Sequence, residues 1–405
     1  MNNVDDKFQT SSEQRLKRSS RAFFCYYIAS QAVFDRGIFI LFLLSKGFSN
    51  VEVGLLQSVL FVTAFLLEIP TGLLGDKYGR KKSVMLGLLT YIGYCFGVIS
   101  FSGLTAFISF YAIYGLAMSL VSGSDRSLIF DAYKQQNRER DFIKLESLSR
   151  SIGSIVLGVA IILGGVLQSI SWDMVYLAYA AALTLSLFAM SFIGETKIID
   201  ENHDEDYSIM KNASKYFFVG SGRSQLPIIL FMSLINFAYY PYFIFSQSAF
   251  KGLALSVEAV AWIFAISQFV CSVGYFTSSK LPQKLRLSTA FIVCPLIFGS
   301  LLLLPQFGSL AVAVGMFFGV CYVVSVIGPI YTSHINQTFE SRIRAFSNSF
   351  DSFVQTIFIA LGFYLYGELS TRMGFSLTAQ FSGVFPIIAA ALAGKYLLRH
   401  KQRAA

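Results

Sequence analysis

The chain has 405 residues, of which 55% are apolar, 16% are aromatic and only 14% are charged. A soluble domain carries about a quarter charged residues, so this composition excludes an ordinary soluble protein. The net charge of +9 comes from short basic clusters between apolar runs, so we expect no nucleic-acid partner. The first twenty residues are polar and lack an apolar core, which predicts a short cytosolic tail rather than a signal peptide.

Twelve apolar runs are each long enough to cross a bilayer, which takes about 20 residues of helix. We number them span 1 to span 12: 22–45, 51–75, 83–101, 104–131, 146–169, 172–194, 225–249, 256–279, 288–305, 308–333, 345–367 and 375–398. The runs are continuously apolar, whereas strands of a membrane barrel alternate polar and apolar residues. The sequence therefore predicts an all-α, multi-pass membrane protein.

Basic residues between the spans predict its orientation. With the N-terminus placed in the cytosol, the outside loops carry only Lys46, Lys251 and Arg372, and all other loops are richer in Lys and Arg. Positive charge concentrates on the cytosolic side of membrane proteins. We expect both termini in the cytosol and a bacterial cytoplasmic (inner) membrane as the location.

The longest polar break divides the spans six and six. We predict a first domain at 1–194, a cytosolic linker at 195–224 and a second domain at 225–405. Within the linker, residues 207–219 fit a short interfacial helix or a plain linker equally well. Two similar halves with a site between them are a common transporter plan.

A charged, glycine-punctuated loop joins spans 2 and 3 and reads Gly-Leu-Leu-Gly-Asp-Lys-Tyr-Gly-Arg-Lys-Lys over residues 72–82. It resembles the signature loop of the major facilitator superfamily. The resemblance implies a transporter with twelve helices in two six-helix bundles. It also implies that Asp76 and Arg80 form a charge relay at the cytosolic gate, with Asp131 as the third member. Gly72 matches the close-packing glycine of the family, and Gly79 would supply a tight turn. The alternative is a positive-inside anchor with no gating role.

Shorter matches at 68–72 and 122–131 resemble a bacterial drug-efflux-like subgroup. Two departures weaken that assignment. Tyr111 stands where the helix-4 motif of the family has arginine, and Ala160 and Ile161 replace the Gly-Pro pair of the antiporter motif. The resemblance therefore supports a transporter throughout and a drug/proton antiporter only in part.

Charged residues inside spans are costly and usually face the interior of the bundle. Asp35 and Arg36 lie just past the middle of span 1. We predict that Asp35 is the proton-binding acid of a central cavity, because a carboxylate in a partly dry cavity holds its proton more readily than one in water. Arg36 would keep Asp35 ionised or bind an anionic cargo. The alternative is a fixed ion pair with another helix.

Other charges lie nearer the predicted cytosolic ends of the spans. Glu68 would brace the gate or carry protons, and Asp125 and Arg126 favour gate electrostatics over cargo binding. Asp351 lies one turn before Gln355 in span 11. The family resemblance implies a contact between the signature loop and the start of that helix, so Asp351 is predicted to belong to the gate.

The cargo face is predicted from polar and aromatic residues near the middle of spans. An aromatic cavity with a few polar groups suits an amphiphilic organic molecule. For each single residue, lipid contact or packing between helices is the alternative. The candidates are Gln57, Asn236, Tyr239, Tyr240, Gln268 and Tyr322.

Span 5 carries Gly153, Gly158, Gly164 and Gly165. Small residues let helices approach closely in lipid, so we expect close packing along this span and smooth contacts that allow the halves to rock.

The function predicted from these features is a secondary active transporter that exports a small organic compound, such as a drug, an antibiotic or a similar metabolite. Alternating access against a proton gradient would supply the energy, with no cofactor. The alternatives are a proton symporter or uptake facilitator, and a non-transporting membrane sensor. No catalytic signature or phosphate-binding Gly-Lys-Ser/Thr loop is present, and the scattered cysteines and histidines predict neither a disulfide framework nor a metal site. The expected partners are the lipid bilayer, protons and the cargo, with the chain acting as a monomer.

Overall fold

A computed structural model describes residues 2–122, 124–136, 138–194, 217, 221–305, 309–338 and 344–404. Regular structure in these residues is helical, with no strand. Ten of their helices are long and apolar enough to cross a membrane by length and composition. The linker predicted at 195–224 falls almost entirely outside the described residues, and so does the possible helix at 207–219 apart from Phe217.

The first six spans are built from eight helices. Span 1 is Asn2–Ser30 and Phe39–Ser45, span 2 is Asn50–Tyr78, span 3 is Arg80–Ser100, span 4 is Leu104–Val121 and Ser124–Lys134, span 5 is Glu139–Gln168, and span 6 is Trp172–Ser191.

The last six spans follow a short 3-10 helix at Ser221–Gln225. Span 7 is Leu226–Gly252, span 8 is Val257–Lys280, span 9 is Gln283–Ser288 and Cys294–Leu303 joined by a π-helical turn at Thr289–Val293, span 10 is Leu310–Thr338, and spans 11 and 12 occupy Arg344–Ser382 and Val384–Ala404. Spans 11 and 12 meet at Gly374, whose φ of 80° is not helical.

The ten long helices and the twelve predicted spans agree once two features are considered. Spans 11 and 12 run together as one stretch across Gly374, so they count once. Span 1 is missing from the count because it is broken. The prediction of one continuous helix over 22–45 is wrong, since residues 31–38 lie between two separate helices.

The break in span 1 lies against other parts of the protein. The Phe34 carbonyl packs directly on Gly164 of span 5, and a Cβ at Gly37 would come within 2.7 Å of Ile161 Cγ2. Only part of the backbone hydrogen bonding continues through the break, for example from Ile38 N to the Asp35 carbonyl oxygen at 2.8 Å. Irregular backbone is tolerated at membrane depth where protein or a water-filled cavity surrounds it. The hydropathy of residues 22–45 indicates that they lie in the membrane, but it carries no information about an interruption of the helix.

The chain forms two compact units. The first comprises Met1–Phe42, Val62–Ile199 and Ser256–Ala265, and the second comprises Leu43–Phe61, Asp200–Leu255 and Ile266–Ala405. The domain boundaries expected from the polar break, with a linker between them, stay a prediction.

The first unit is held together by close contacts of small residues. Gly97 of span 3 receives the ring of Phe110 from span 4, and Gly153 of span 5 lies against Tyr27 and Gln31 of span 1. Lipid tails are as apolar as the side chains, so burial of apolar surface supplies no driving force between helices in a membrane. Close van der Waals packing of small residues stabilises the helix pairs instead. Of the four glycines predicted to pack in span 5, Gly153, Gly164 and Gly165 do so, whereas a Cβ at Gly158 would meet no atom of the described residues within 4 Å.

The second unit contains the first half of span 2, packed on span 11. Ser58 Oγ donates to the Ala360 carbonyl oxygen at 2.6 Å, and Gly54 lies against the Phe363 carbonyl. The rings of Phe61 and Phe363 stack with centroids 5.5 Å apart. Span 2 therefore contributes to both units, with its first half in the second unit and its signature-loop end in the first.

Candidate transport site and gate

The signature loop forms a three-residue ion cluster in the first unit. Arg80 Nε lies 3.1 Å from Asp76 Oδ1, and Arg80 Nη1 lies 2.7 Å from Asp131 Oδ2. The three side chains are 23%, 32% and 31% exposed, in the order Arg80, Asp76, Asp131. One guanidinium thus links the end of span 2, the start of span 3 and the end of span 4. The structure brings together the three residues that the family resemblance named.

Gly79 makes the cluster possible. It separates spans 2 and 3 as a single residue with φ 106° and ψ 128°, a conformation that side chains rarely adopt. Lys81 adds a second tie, because its Nζ donates to the carbonyl oxygens of Ser191 and Ile193 at 2.7 Å each. These carbonyls end span 6, where a cation stabilises unpaired helix acceptors.

Gly72 shows no close packing against the described residues. A Cβ at Gly72 would meet no described atom within 4 Å, and the residue is exposed. Gly75 is the buried glycine of the loop, and a Cβ there would lie 3.3 Å from Ser124 Oγ. The close-packing role that the resemblance implies for Gly72 stays a prediction.

A cavity of about 520 Å³ lies within the first unit. Spans 1, 3, 4, 5 and 6 line it, and its polar walls combine five tyrosines with two arginines and one acid. These side chains are Tyr26, Tyr27, Arg36, Tyr91, Tyr114, Asp125, Arg126 and Tyr179. A pocket of this size holds a small organic molecule.

Asp35 and Arg36 are neighbours in the break of span 1 with different surroundings. Arg36 is exposed and lines the cavity, whereas Asp35 is only 6% exposed and is not among the lining residues. Tyrosines of spans 3, 4 and 6 interact electrostatically with Asp35, among them Tyr94, Tyr111 and Tyr176. Asp35 also interacts with Arg36. A proton on Asp35 therefore changes the field at a cavity-lining cation.

The tyrosines around Asp35 form a packed cluster. The rings of Tyr94 and Tyr114 stack with centroids 4.6 Å apart, and Tyr91 meets Tyr114 edge-on at 5.2 Å. Tyr176 packs on Phe42 at 4.6 Å. The cluster holds its ring faces and hydroxyls in fixed places because its members constrain one another.

Asp125 and Arg126 also line the cavity. The Tyr26 hydroxyl donates to Asp125 Oδ2 at 3.3 Å, and the Arg126 amide donates to Asp125 Oδ1 at 2.7 Å. Arg126 Nε lies 3.6 Å from Glu146 Oε1. Both residues were predicted to act in gate electrostatics, and the structure places them on the cavity wall. Glu68, predicted to brace the gate or carry protons, is exposed.

Asp351 belongs to a buried polar cluster of the second unit. The Tyr331 hydroxyl donates to Asp351 Oδ1 at 2.6 Å, and Asn236 Nδ2 donates to Gln355 Oε1 at 2.7 Å. Asp351 is 7% exposed and Asn236 is 5% exposed. A buried carboxylate in a hydrogen-bonded network fixes the arrangement of the helices that carry it. Within its own unit, Asp351 therefore ties span 11 to span 10, and its proposed membership of the gate stays a prediction.

The other predicted cargo residues lie in various surroundings of the second unit. Gln57 is buried, and Tyr239 meets Tyr240 edge-on at 5.5 Å. The Tyr322 hydroxyl donates to Thr277 Oγ1 at 3.1 Å, and Gln268 is half-buried. None of the six predicted cargo residues lines the cavity of the first unit. Their role in transport stays a prediction.

Comparison with known proteins shows the family. The model of the Major Facilitator Superfamily matches residues 22–332. The chain belongs to the major facilitator superfamily. It is therefore an integral, multi-pass membrane transporter and not an enzyme, and the prediction of this family is confirmed.

One relative in this superfamily is the uncharacterized MFS-type transporter YxaM of Bacillus subtilis (strain 168). It is 24% identical over 362 residues, which cover 87% of this chain and 88% of that protein.

Solved structures of superfamily members share the fold at low sequence identity. A nucleoside transporter, NupG, solved in a mutant form, is 14% identical, with a TM-score of 0.75 over 95% of this chain and 99% of that one. A bacterial homologue of the human lysosomal transporter Spinster, inward-facing and unoccupied, is 18% identical, with a TM-score of 0.72 over 96% and 98%. A D-xylose–proton symporter is 13% identical, with a TM-score of 0.67 over 96% and 98%. The twelve-helix major facilitator fold is thus confirmed.

The sequence analysis did not predict the tyrosines of the cavity. Their spacing along three spans nevertheless carries a signal. Spans 3, 4 and 6 each carry a pair of tyrosines three residues apart, which places both rings on one helix face. The pairs are Tyr91 with Tyr94, Tyr111 with Tyr114, and Tyr176 with Tyr179. Among the described residues of this chain, no three His, Cys, Asp or Glu side chains lie together as metal ligands would.

Proposed function

We propose that this transporter exports a small organic compound by alternating access, driven by protons that enter in exchange. The observation that carries the proposal is that Asp35 and Arg36 are neighbours in the broken part of span 1. The acid is buried near tyrosines of other spans, and the adjacent base lines a cavity large enough for a small molecule.

The closeness of this acid and this base supports coupling between proton and cargo. When Asp35 is ionised, its charge offsets that of Arg36. When Asp35 takes a proton, the charge of Arg36 acts on the cavity alone. The protonation state of Asp35 therefore changes the electrostatic potential at the cavity wall, and with it the affinity for a charged or polar cargo.

The ion cluster of Asp76, Arg80 and Asp131 supports the gate in this proposal. It joins three helix ends at a face that the loop charges predict to be cytosolic. We assign to it the stabilisation of one conformation in the transport cycle. The proposed setting is the bacterial inner membrane, with the chain acting as a monomer and without a cofactor.

Transport in inverted membrane vesicles tests the direction and the coupling. With the vesicle interior acidified, a proton-driven exporter accumulates cargo, and an uncoupler abolishes the accumulation. Screening covers small antibiotics, peptides and aromatic acids. The variant Asp35→Asn is expected to lose the stimulation by the gradient while exchange of labelled for unlabelled cargo continues. Asp173→Asn, which neutralises an exposed acid at the start of span 6, is the matched control.

The same vesicles separate the alternatives. A proton symporter accumulates cargo in right-side-out vesicles when the proton gradient is directed inward. An uptake facilitator only equilibrates cargo across the membrane, and the gradient does not stimulate it. A sensor moves no cargo in either preparation. If Asp35→Asn keeps full proton-driven export, Asp35 is not the coupling acid.

A further inference from the structure

We infer that an apolar groove on the surface of the first unit binds one phospholipid with an anionic headgroup. One acyl chain lies along spans 1 and 6, and the phosphate lies on Arg18. The groove is separate from the transport cavity, because no residue lines both. The inference goes beyond the proposed function and holds whatever the transporter carries.

Small side chains leave this groove open. It has a volume of about 940 Å³, and seven of its lining residues are alanines of spans 1 and 6. Small residues on a membrane helix usually mark a place where another helix packs. Here Ala181 is exposed, and Ala29 and Ala178 are only half-buried. Hydrocarbon has to fill such a depression, because an empty one loses the van der Waals contacts of its walls.

The groove has the length of an acyl chain within one leaflet. It runs from Arg18 to Ala29 along span 1 and from Ala178 to Ala189 along span 6. Each stretch corresponds to about 16 Å of helix, close to one leaflet's share of the hydrocarbon core, about 15 Å. In span 1, positions 18, 22, 25 and 29 are three or four residues apart, so they share one helix face. That face carries an apolar track with a cation at one end.

Three arginines form a basic strip at this end of the groove. Arg15, Arg18 and Arg21 are exposed and three residues apart, so they lie on the same side of span 1. The guanidinium of Arg18 lies over the ring of Phe192, 5.5 Å from its centroid. Within the described residues, none of the three arginines forms an ion pair. The strip is therefore available to an anion from outside the chain.

The surroundings of the basic strip favour a negative headgroup. Lys81 Nζ, bound to the carbonyl oxygens of Ser191 and Ile193 on either side of the ring under Arg18, adds a further cation. The loop charges predict this end of span 1 to be cytosolic, where the leaflet is anionic. Arginine holds a phosphate through two parallel hydrogen bonds. A choline group would add a cation that the strip repels.

A second copy of the chain fits the groove less well. In a two-fold symmetric dimer within a membrane, both copies present the same face at the same depth. The basic strips of the two copies would then face each other, and like charges repel. A phospholipid brings the opposite charge to the same place.

Native mass spectrometry of the purified full-length protein, released from detergent, tests the inference because it counts bound lipids. The probes are dioleoyl phosphatidylglycerol, which is anionic, and dioleoyl phosphatidylcholine, which has the same chains and no net charge. We expect the first phosphatidylglycerol to bind at least about tenfold more tightly than phosphatidylcholine, since several basic residues act on one headgroup.

Two variants separate the headgroup from the chain. Arg18→Gln is expected to lower the preference for phosphatidylglycerol by about fivefold, the effect of one basic residue at an anionic surface. Ala181→Leu fills part of the groove and is expected to weaken both lipids by a similar factor. Arg223→Gln and Ala391→Leu change exposed residues of the same types outside the groove and are expected to change neither affinity.

Cys25 reports where the lipid binds. It lines the groove and is exposed, whereas the other four cysteines are buried. Phosphatidylglycerol is therefore expected to slow the alkylation of Cys25 by N-ethylmaleimide, at the concentration at which the first lipid binds. Phosphatidylcholine at that concentration is expected to leave the rate nearly unchanged.

Several results would overturn the inference: no bound lipid, equal affinities for the two lipids, an unchanged preference after Arg18→Gln, or a bound phosphatidylglycerol that leaves Cys25 fully reactive. A dimer in which Cys25 is protected without lipid, and which Ala181→Leu dissociates, would overturn it too. In that case a second copy occupies the groove.

Discussion

Replacing Arg80 with glutamine removes the centre of the ion cluster at the signature loop. Arg80 contacts Asp76 at 3.1 Å and Asp131 at 2.7 Å, and it is the group that joins the two acids. The glutamine keeps much of the length of the side chain and loses its charge. Two carboxylates then share a site without the cation that separates them.

The expected cost follows from the partial burial of the cluster. Exposed ion pairs contribute up to about 1 kcal/mol, whereas breaking a fully buried pair costs about 3–5 kcal/mol. The three side chains are between 23% and 32% exposed, so each pair lies between these limits. We expect Arg80→Gln to lower the free energy of unfolding by about 2–3 kcal/mol, including the repulsion between the remaining acids.

Thermal unfolding of the purified protein measures this cost, together with a double-mutant cycle. Asp131→Asn and the double variant Arg80→Gln/Asp131→Asn complete the cycle. The interaction energy between the two positions is expected to be about 1–2 kcal/mol, since residues in one ionic network are not additive. Lys82→Gln removes the same charge from an exposed position of the same loop and is expected to change stability by less than about 0.5 kcal/mol.

Additive effects of Arg80→Gln and Asp131→Asn would refute the reasoning, because the two side chains would then contribute independently. A loss equal to that of Lys82→Gln would refute it as well. In that case the loop acts through its total charge, as the positive-inside alternative holds.

Two further predictions concern packing and a buried carboxylate. Gly164→Ala drives a methyl group into the Phe34 carbonyl and is expected to cost about 3 kcal/mol, whereas Gly158→Ala has open space and is expected to be neutral or stabilising by up to about 1 kcal/mol. Thermal unfolding compares the two, and equal effects would show that the span 5 contact does not constrain the protein. Tyr331→Phe removes the hydroxyl that donates to Asp351 and is expected to destabilise the second unit by about 1–3 kcal/mol, measured by thermal unfolding. The loss is expected to shrink in the background of Asp351→Asn, and an unchanged loss would contradict the role of this bond.

Much of the fold could be predicted from the sequence because lipid imposes a simple constraint. A segment in hydrocarbon has to satisfy its own backbone, so long apolar runs become helices. The break at 31–38 could not be predicted in the same way. The break packs against Gly164 of another span, and hydropathy along one run carries no information about that contact.

The candidate site was predicted unevenly for a related reason. The ion cluster at the signature loop was predicted because its members Asp76 and Arg80 are charged, close in sequence and part of a family pattern. The tyrosine cavity was missed because tyrosine in an apolar run is common, and each residue was considered singly. Only the pairing of Tyr91 with Tyr94, and of similar pairs on two other spans, indicates a shared interior face.

The contact between Phe34 and Gly164 also bears on the order in which the spans assemble in the membrane. Span 1 leaves the ribosome and enters the membrane well before span 5 is made, because residue 34 precedes residue 164 in the chain. Until span 5 is made, the Phe34 carbonyl lacks the contact with Gly164 that it has in the folded protein, and hydrocarbon offers it no hydrogen-bond donor. We therefore expect the two helices of span 1 to reach their final packing only after span 5 is inserted.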